Sequence, residues 1–333
     1  MQLLLKTNPN LNAEDEYGFT ALHLAAGWGH KECLQLLIAA KADPNIQNDS
    51  GCTALLSATN NGRRECVQLL VDAKADLNVK DKDGDSALTS ALENGHFDCA
   101  RSLIVAQADV NTRNRDDKTA LMLAVFADDT ECIELLISAK ADLNIQNRDG
   151  DTALTSAATG GKIECMQLLV DAKAALDIED ERGNTALISA ADLGDAACVR
   201  LLIAAKANLD IQNCYGITAL ILSAYGGHTD CVQLLVKAKA NVDIKSEVGD
   251  TALMWAAGAD DAESVQLLAD ANASLDVEDN YGMTALMWAA EDGNTACVRL
   301  LLELTYDVFS TRRSKKRKLM EEGHKNQEHH CNK

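Results

Sequence analysis

Several strings in this chain use the residue types that chemistry needs. His30 and Cys33, His96 and Cys99, and His228 and Cys231 are each three residues apart, a spacing that puts two candidate metal ligands on one helical turn. "TGGK" at Thr159 to Lys162 resembles the end of a phosphate-binding loop, and "HHC" at His329 to Cys331, with His324 nearby, could take up a metal. Each has a plainer reading. A phosphate loop needs glycine where Ser156 stands and a hydroxyl residue where Ile163 stands. A structural zinc site needs four ligands in an ordered frame, which the stretch around His329 does not supply. No metalloprotease helix motif, nucleophile elbow or dinucleotide fingerprint occurs in the sequence. No catalytic residue, metal or cofactor is therefore expected.

The cysteines lead instead to the elements that carry them. Eight of the eleven (Cys33, Cys66, Cys99, Cys132, Cys165, Cys198, Cys231 and Cys297) stand thirteen residues after the first residue of a recurring string. That string is "TALHL" at Thr20, "TALLS" at Thr53, "SALTS" at Ser86, "TALML" at Thr119, "TALTS" at Thr152, "TALIS" at Thr185, "TALIL" at Thr218 and "TALMWAA" at both Thr251 and Thr284. The nine copies follow at a strict interval of 33 residues, without insertion or deletion. A short fixed period favours one array of small stacked units over several globular domains.

Within a repeat, Leu22, Ala25 and Ala26 have helical spacing, Gly29 interrupts, and Cys33, Leu36 and Leu37 resume the pattern. Two short helices joined at a glycine turn are implied. Neither is long enough to be stable alone in water, so stability must come from stacking one repeat on the next. The leading threonine can cap the first helix. "ADLNVKDKDGDS" at Ala75 to Ser86 has the Asp and Gly chemistry of a hairpin-like loop. Equivalent cysteines in stacked helices would lie about 8–10 Å apart, beyond the ~7 Å reach of a disulfide. They are expected to be buried thiols in a reducing compartment.

The net charge of −20 conceals two unlike parts. Residues 311–333 hold eight basic residues against three acidic ones, so a balance of +5 leaves −25 on residues 1–310. An acidic array repels phosphate backbones, which argues against nucleic acid and for a protein partner with a basic or apolar extended segment. No apolar run reaches the ~18 residues of a membrane span, so no membrane association is expected. No signal peptide is visible at Met1 to Leu5.

The sequence D-x-x-G-x-T-x-L, then A-A, G-H, L-L and A-D-x-N, as in Asp15 to Asn45, resembles the ankyrin repeat across residues 1 to about 305. The resemblance implies a mainly α fold, an ankyrin-repeat solenoid of stacked helix-turn-helix units with projecting β-hairpin loops. It also implies protein binding through the hairpin tips and the concave inner-helix face. Residues 1–310 are read as the array, with a partial repeat over 1–14 and then nine 33-residue repeats, and 311–333 as a basic tail expected to be disordered. The chain departs from the family pattern in places. Alanine replaces proline after the threonine, and lysine replaces glycine at Lys41, Lys74, Lys140, Lys173, Lys206 and Lys239. If that site is left-handed, each lysine costs about 1 kcal/mol relative to glycine. Asp117 and Asp128 in repeat 4, and Asp260 and Ser264 in repeat 8, mark expected soft seams.

Stacking fixes the core, so the positions that vary between repeats belong to the presented surface. In ankyrin arrays these lie four, three and one residues before the threonine and seven and eight after it. Tyr17, Phe19, Trp28, Phe126, Tyr215, Ile217, Tyr225, Tyr281 and Met283 occupy such positions, which include seven of the twelve aromatic residues. Aromatic anchors are favoured in binding hot spots; the plainer reading is that they fill gaps between hairpins. Trp255 and Trp288 occupy a site filled elsewhere by Leu24, Ser57, Ser90, Leu123, Ser156, Ser189 and Leu222, a mixture that suggests partial exposure. Two patches result, one in repeat 1 and one in repeats 7–9, flanking a charged middle that includes Lys82, Asp83, Asp85, Arg115, Asp116, Lys118, Arg148, Asp149 and Asp151. At ~10 Å per repeat the patches would be about 60 Å apart.

The expected function is a monomeric, non-enzymatic scaffold or adaptor in the cytoplasm. The alternative is a nuclear regulatory factor imported through "RRSKKRK", with Arg312, Arg313, Lys315, Lys316, Arg317 and Lys318 as the signal. A host-directed effector, or a fragment of a larger enzyme, is the third reading.

Overall fold

The computed structural model describes residues 10–306; residues 1–9 and 307–333, and with them the basic run Arg312 to Lys318, lie outside the described residues. The fold is mainly α. Two compact units can be distinguished, one ending at Ala186 and the other beginning at Leu187. The N-terminal unit pairs α1 (Ala21–Trp28) with α2 (Lys31–Ala39), α3 (Ala54–Asn60) with α4 (Arg64–Asp72), α5 (Ala87–Glu93) with α6 (Phe97–Val105), α7 (Ala120–Ala127) with α8 (Thr130–Ser138) and α9 (Ala153–Thr159) with α10 (Ile163–Asp171). The C-terminal unit takes in α11 (Ala186–Leu193) with α12 (Ala196–Ala205), α13 (Ala219–Tyr225) with α14 (Thr229–Lys237), α15 (Ala252–Gly258) with α16 (Ala262–Asp270), and α17 (Ala285–Glu291) followed by helix over 295–306.

Each helix has its local cause in the sequence. The side chains of Thr20, Thr53, Ser86, Thr119, Thr152, Thr218 and Thr284 accept a hydrogen bond from the backbone three residues on, as N-caps. The second helices start mostly without side-chain caps, and Asp129, Asp195 and Asp261 are the capped exceptions. At seven to ten residues, α1 to α17 are held by packing rather than by propensity. First helices pack on first helices, as α1 on α3 and α13 on α15, and second helices on second helices, as α4 on α6 and α14 on α16.

The shared core is written by two leucine rows and the cysteine row. Leu22, Leu55, Leu88, Leu121 and Leu154 in the first helices and Leu70, Leu103, Leu136 and Leu169 in the second are at most 1% exposed. Alanines such as Ala26, Ala58 and Ala91 are fully buried and let the helices approach closely. Cys33 corrects the expectation of eight buried thiols: it is exposed, whereas Cys66, Cys99, Cys132, Cys165, Cys198, Cys231 and Cys297 are buried.

The loops between helix pairs are closed rather than extended. The backbone N–H five residues before the cap donates to the carbonyl one residue before it, as Asn48 to Cys52 at 2.9 Å and Ser246 to Asp250 at 2.9 Å. No strand forms among the described residues, and only the isolated bridges Lys80 with Ser86 and Arg113 with Thr119 appear, so the expected β-hairpins are tight turns with a hairpin's course. Within each unit, asparagine or aspartate of the A-D-x-N element links one loop to the next: Asn45 Oδ1 accepts from Asp76 N at 2.8 Å, and Asp243 Oδ1 from Ser274 N at 2.8 Å. Gly150 shows why glycine precedes the cap, since its φ is +79° and an added Cβ would lie 2.6 Å from Glu181 N.

The lysine substitutions fall at left-handed backbone, as the sequence suggested. Lys41, Lys74, Lys140, Lys173, Lys206 and Lys239 have φ between 61° and 75°, and Gln107 and Asn272 adopt the same conformation at the equivalent position. Asp117, Asp128 and Asp260 are also left-handed, at 58°, 60° and 56°. Asp128 has a compensation, because its Oδ1 accepts from the Cys165 thiol at 3.1 Å.

Candidate protein-binding surface

Capped first helices and closed loops fix where every presented position points. In the N-terminal unit, Tyr17 and Trp28 are 60% and 69% exposed, and Phe19 is half-buried. Phe19 meets the buried His23 edge-to-face at 5.9 Å. His23 is structural: its Nδ1 accepts from Thr20 N at 3.1 Å and its Nε2–H donates to Cys52 O at 3.0 Å, joining repeat 1 to repeat 2. Burial pushes its pKa down, against the backbone carbonyls and nearby carboxylates that favour the charged ring. Phe19, His23, Leu24, Trp28, Cys52 and Asn61 are among the residues lining a groove of about 420 Å³.

Phe126, 79% exposed, is flanked by lysines rather than aromatic rings. Lys118 Nζ lies 5.8 Å and Lys162 Nζ 5.6 Å from its centroid, and Lys162 also donates to the carbonyls of Val125 and Phe126. The charged middle is less uniformly presented than expected. Asp85 is buried at 8% exposure, and its Oδ1 has no hydrogen-bond partner. Burial first, then the neighbouring Glu93 and Asp81, push its pKa up to about 6 against the relief from Arg115.

The C-terminal unit gathers the richest set. Tyr225, Trp255 and Trp288, one from each of three consecutive first helices, form an edge-to-face ladder with centroids 4.7 Å and 4.9 Å apart. Trp288 is held from two sides. Its Nε1 donates to Asp279 Oδ2 at 3.1 Å, and its ring lies against Gly258, where an added Cβ would be 3.2 Å from Cε3. Burial raises the Asp279 pKa, but hydrogen bonds from Met283, Trp288 and Tyr281 and the charge of Lys245 outweigh it and leave the carboxyl below its usual value.

Two further rows run beside the ladder. The loop tips carry Tyr215, Val248 and Tyr281 at 59%, 51% and 83% exposure, tied to one another through Glu247 N donating to Tyr215 O and Asn280 N to Val248 O, both at 3.0 Å. The residues immediately before the caps are Ile217, Asp250 and Met283, of which Ile217 and Met283 are half-buried. Trp255 and Trp288 are half-buried as well, and Tyr225 is 59% exposed. The sequence reading missed Val248, Asp250, Ser246 and Asp279. The signal for Val248 was present, since it stands three residues before Thr251 like the tyrosines beside it, but attention to aromatic residues passed over it.

The histidine and cysteine pairs are not brought together as ligands. His96 Nε2 lies 3.3 Å from Asn60 O and His228 Nε2 3.2 Å from Asp192 O, each bonding to the turn of the preceding repeat. Among the described residues no group of histidine, cysteine and carboxylates has metal-binding geometry. The buried thiols are far from nucleophilic: burial, then nearby aspartates, push Cys132, Cys165 and Cys198 up to about 12. No described helix is long and apolar enough to cross a membrane.

A comparison with curated proteins finds no match. The family model described as "Ankyrin repeats (3 copies)" matches in seven overlapping segments, 1–48, 29–114, 57–147, 121–213, 173–246, 194–279 and 238–312. With capped helix pairs, left-handed turns and linked loops recurring throughout the described residues, and the matches spanning 1–312, the chain belongs to the ankyrin-repeat family.

Proposed function

We propose that this protein is a non-catalytic scaffold or adaptor that binds a partner protein on the loop-and-first-helix face of its C-terminal unit. The observation that carries this reading is the Tyr225, Trp255 and Trp288 ladder beside the exposed tips Tyr215, Val248 and Tyr281. Packing alone does not require Tyr225 and the tips Tyr215, Val248 and Tyr281 to stand at more than half exposure beside two half-buried tryptophans. Aromatic rings on a rigid frame lose little entropy on binding, which makes them effective anchors. The −25 charge of residues 1–310 favours a basic or apolar extended segment and disfavours nucleic acid. Ankyrin repeats are generally protein-interaction modules, and the thiols raised by burial leave the buried cysteines without a nucleophilic role. We read the working form as a monomer in the cytoplasm.

The test is affinity capture from native extract with the intact chain and with a variant in which Tyr215, Tyr225 and Tyr281 are all changed to alanine. These side chains are 59–83% exposed, so the variant keeps its helical circular dichroism. A partner held by the intact chain and lost from the variant is the expected result. Equal recovery from both sinks the proposal. A nuclear role is the second reading, favoured by the run Arg312 to Lys318 alone; failure of residues 307–333 to carry a fused reporter into the nucleus removes it.

A further inference from the structure

Phe126 stands seven residues after the cap of repeat 4, the position that Tyr225 occupies in repeat 7. Tyr225 leans on Trp255 of the following repeat. Repeat 5 has Ser156 where repeat 8 has Trp255, so Phe126 meets no aromatic ring among the described residues and is 79% exposed. Its neighbours are Lys118 and Lys162, whose ammonium groups lie 5.8 Å and 5.6 Å from the ring centroid.

The two lysines are held differently. Lys162 reaches back from repeat 5 and donates to Val125 O at 3.0 Å and Phe126 O at 2.6 Å, which leaves one of its three N–H donors free. Arg63 on Gly27 O and His96 on Asn60 O make comparable clasps, so Lys162 has a structural duty. Lys118 has none: only its backbone enters the loop, through Asn114, and its ammonium makes no hydrogen bond or ion pair among the described residues. The ion pairs of this unit belong to arginines. Arg115 holds Glu93 and Arg148 holds Asp117, both at 3.7 Å, while Asp116 and Asp149 on the adjoining loop tips pair with neither lysine. One open ring is thus flanked by four free ammonium donors in a chain where carboxylates outnumber cations.

We infer that Phe126, Lys118 and the free donor of Lys162 form a second interaction surface, within the N-terminal unit, for an extended segment of a partner protein that carries a glutamate or aspartate next to an apolar side chain. The apolar side chain lies on the open ring, and the carboxylate takes the ammonium donors. The net charge of the array does not forbid this. At physiological ionic strength exposed charges more than about 8 Å apart are largely screened, so a bound segment reads the local sign. That sign is opposite to the one favoured by the chain as a whole, and the surface therefore selects a different segment from the one proposed for the C-terminal unit.

The test uses the full chain. Peptides are selected on it from a random phage-displayed library, and their affinities are measured by fluorescence anisotropy for Phe126→Ala, Lys118→Gln, Lys118→Glu and the variant with Tyr215, Tyr225 and Tyr281 all changed to alanine. Phe126 is open to water and the Lys118 side chain touches only its ring, so these changes keep the helical circular dichroism. The expected result is a class of peptides, indifferent to the tyrosine changes, with an acidic residue next to an apolar one. These lose about tenfold on Phe126→Ala and about three- to fivefold on Lys118→Gln, the range of an exposed ion pair. Lys118→Glu rejects them, and remaking the peptide with lysine for its acidic residue restores binding to that variant, an exchange that a purely structural role does not give. Peptides that need Phe126 but lack an acidic residue, or that bind Lys118→Glu unchanged, overturn the inference. A selection that yields only peptides lost from the tyrosine variant also overturns it and leaves the C-terminal surface standing. Displacement by inorganic phosphate but not by chloride at equal ionic strength would make this a general anion site, and a gain of about tenfold on deleting residues 311–333 would make the chain's own Glu321 and Glu322 the occupant; either overturns the inference.

Discussion

Changing Asp85 to asparagine should stabilise the N-terminal unit, and by an amount that depends on pH in a defined way. The carboxyl ordinarily titrates near 3.8 and in the fold near 6, because it is buried, faces Glu93, Asp81 and Asp83, and is relieved only by Arg115. A carboxyl raised in the fold binds a proton more tightly there than in the unfolded chain, so stability falls as pH rises from about 4 through 6. The gap of about two pH units corresponds to roughly 3 kcal/mol at pH 7, about half of it present at pH 5 and little below pH 4. Asparagine cannot ionise and removes that penalty. Urea unfolding should be followed by Trp28 fluorescence with Trp255 and Trp288 both replaced by phenylalanine, so that the signal comes from the unit containing Asp85. The variant should gain nearly nothing at pH 4 and about 2–3 kcal/mol at pH 7. A difference that stays constant from pH 4 to 7, or a variant less stable than the natural chain at pH 7, would refute the reasoning.

The left-handed lysines give a second expectation. Lys140→Gly, at φ 61°, should stabilise by about 0.5–1 kcal/mol, the relief of about 1–2 kcal/mol of backbone strain less the greater entropy glycine loses on folding, read as a shift in the urea midpoint. Thiol labelling at pH 8 gives a third. In a Cys331→Ser background, Cys33 and Cys214 should react with a disulfide reagent within seconds to minutes and Cys52, half-buried and raised to about 11, more slowly. The seven buried thiols should react only on unfolding; their fast labelling in the native chain would contradict the packing described for the cysteine row.

Much of the fold was legible because stacking repeats the same demands nine times. The 33-residue interval fixed helix pairs, caps and turns, and lysine in a glycine position correctly marked left-handed backbone. Strand geometry was overstated, since a loop closed by one backbone bond and one Asx side chain does not need a ladder. Cys33 was placed inside because periodicity sees position and not neighbours. Exposure of Tyr225 followed from its place among the presented positions and partial exposure of Trp255 from mixed occupancy, but their edge-to-face contact joins positions at different offsets from their caps, which a column of aligned repeats does not reveal. Asp250 escaped for the same reason: aspartate before a cap looks like surface charge, and only packing shows that its oxygen is covered and alone.

The proposed binding face can be tested most directly by site-specific photo-crosslinking in cells, with benzoylphenylalanine at Val248 on the loop tip or at Glu263 in the first turn of α16. Both positions are exposed and both belong to repeat 8, so abundance and folding are matched between the two proteins. The expected result is a discrete adduct to a partner from position 248 and none from position 263. Adducts from 263 with none from 248, or the same adducts from both, would contradict the assignment of partner binding to the aromatic face of the C-terminal unit.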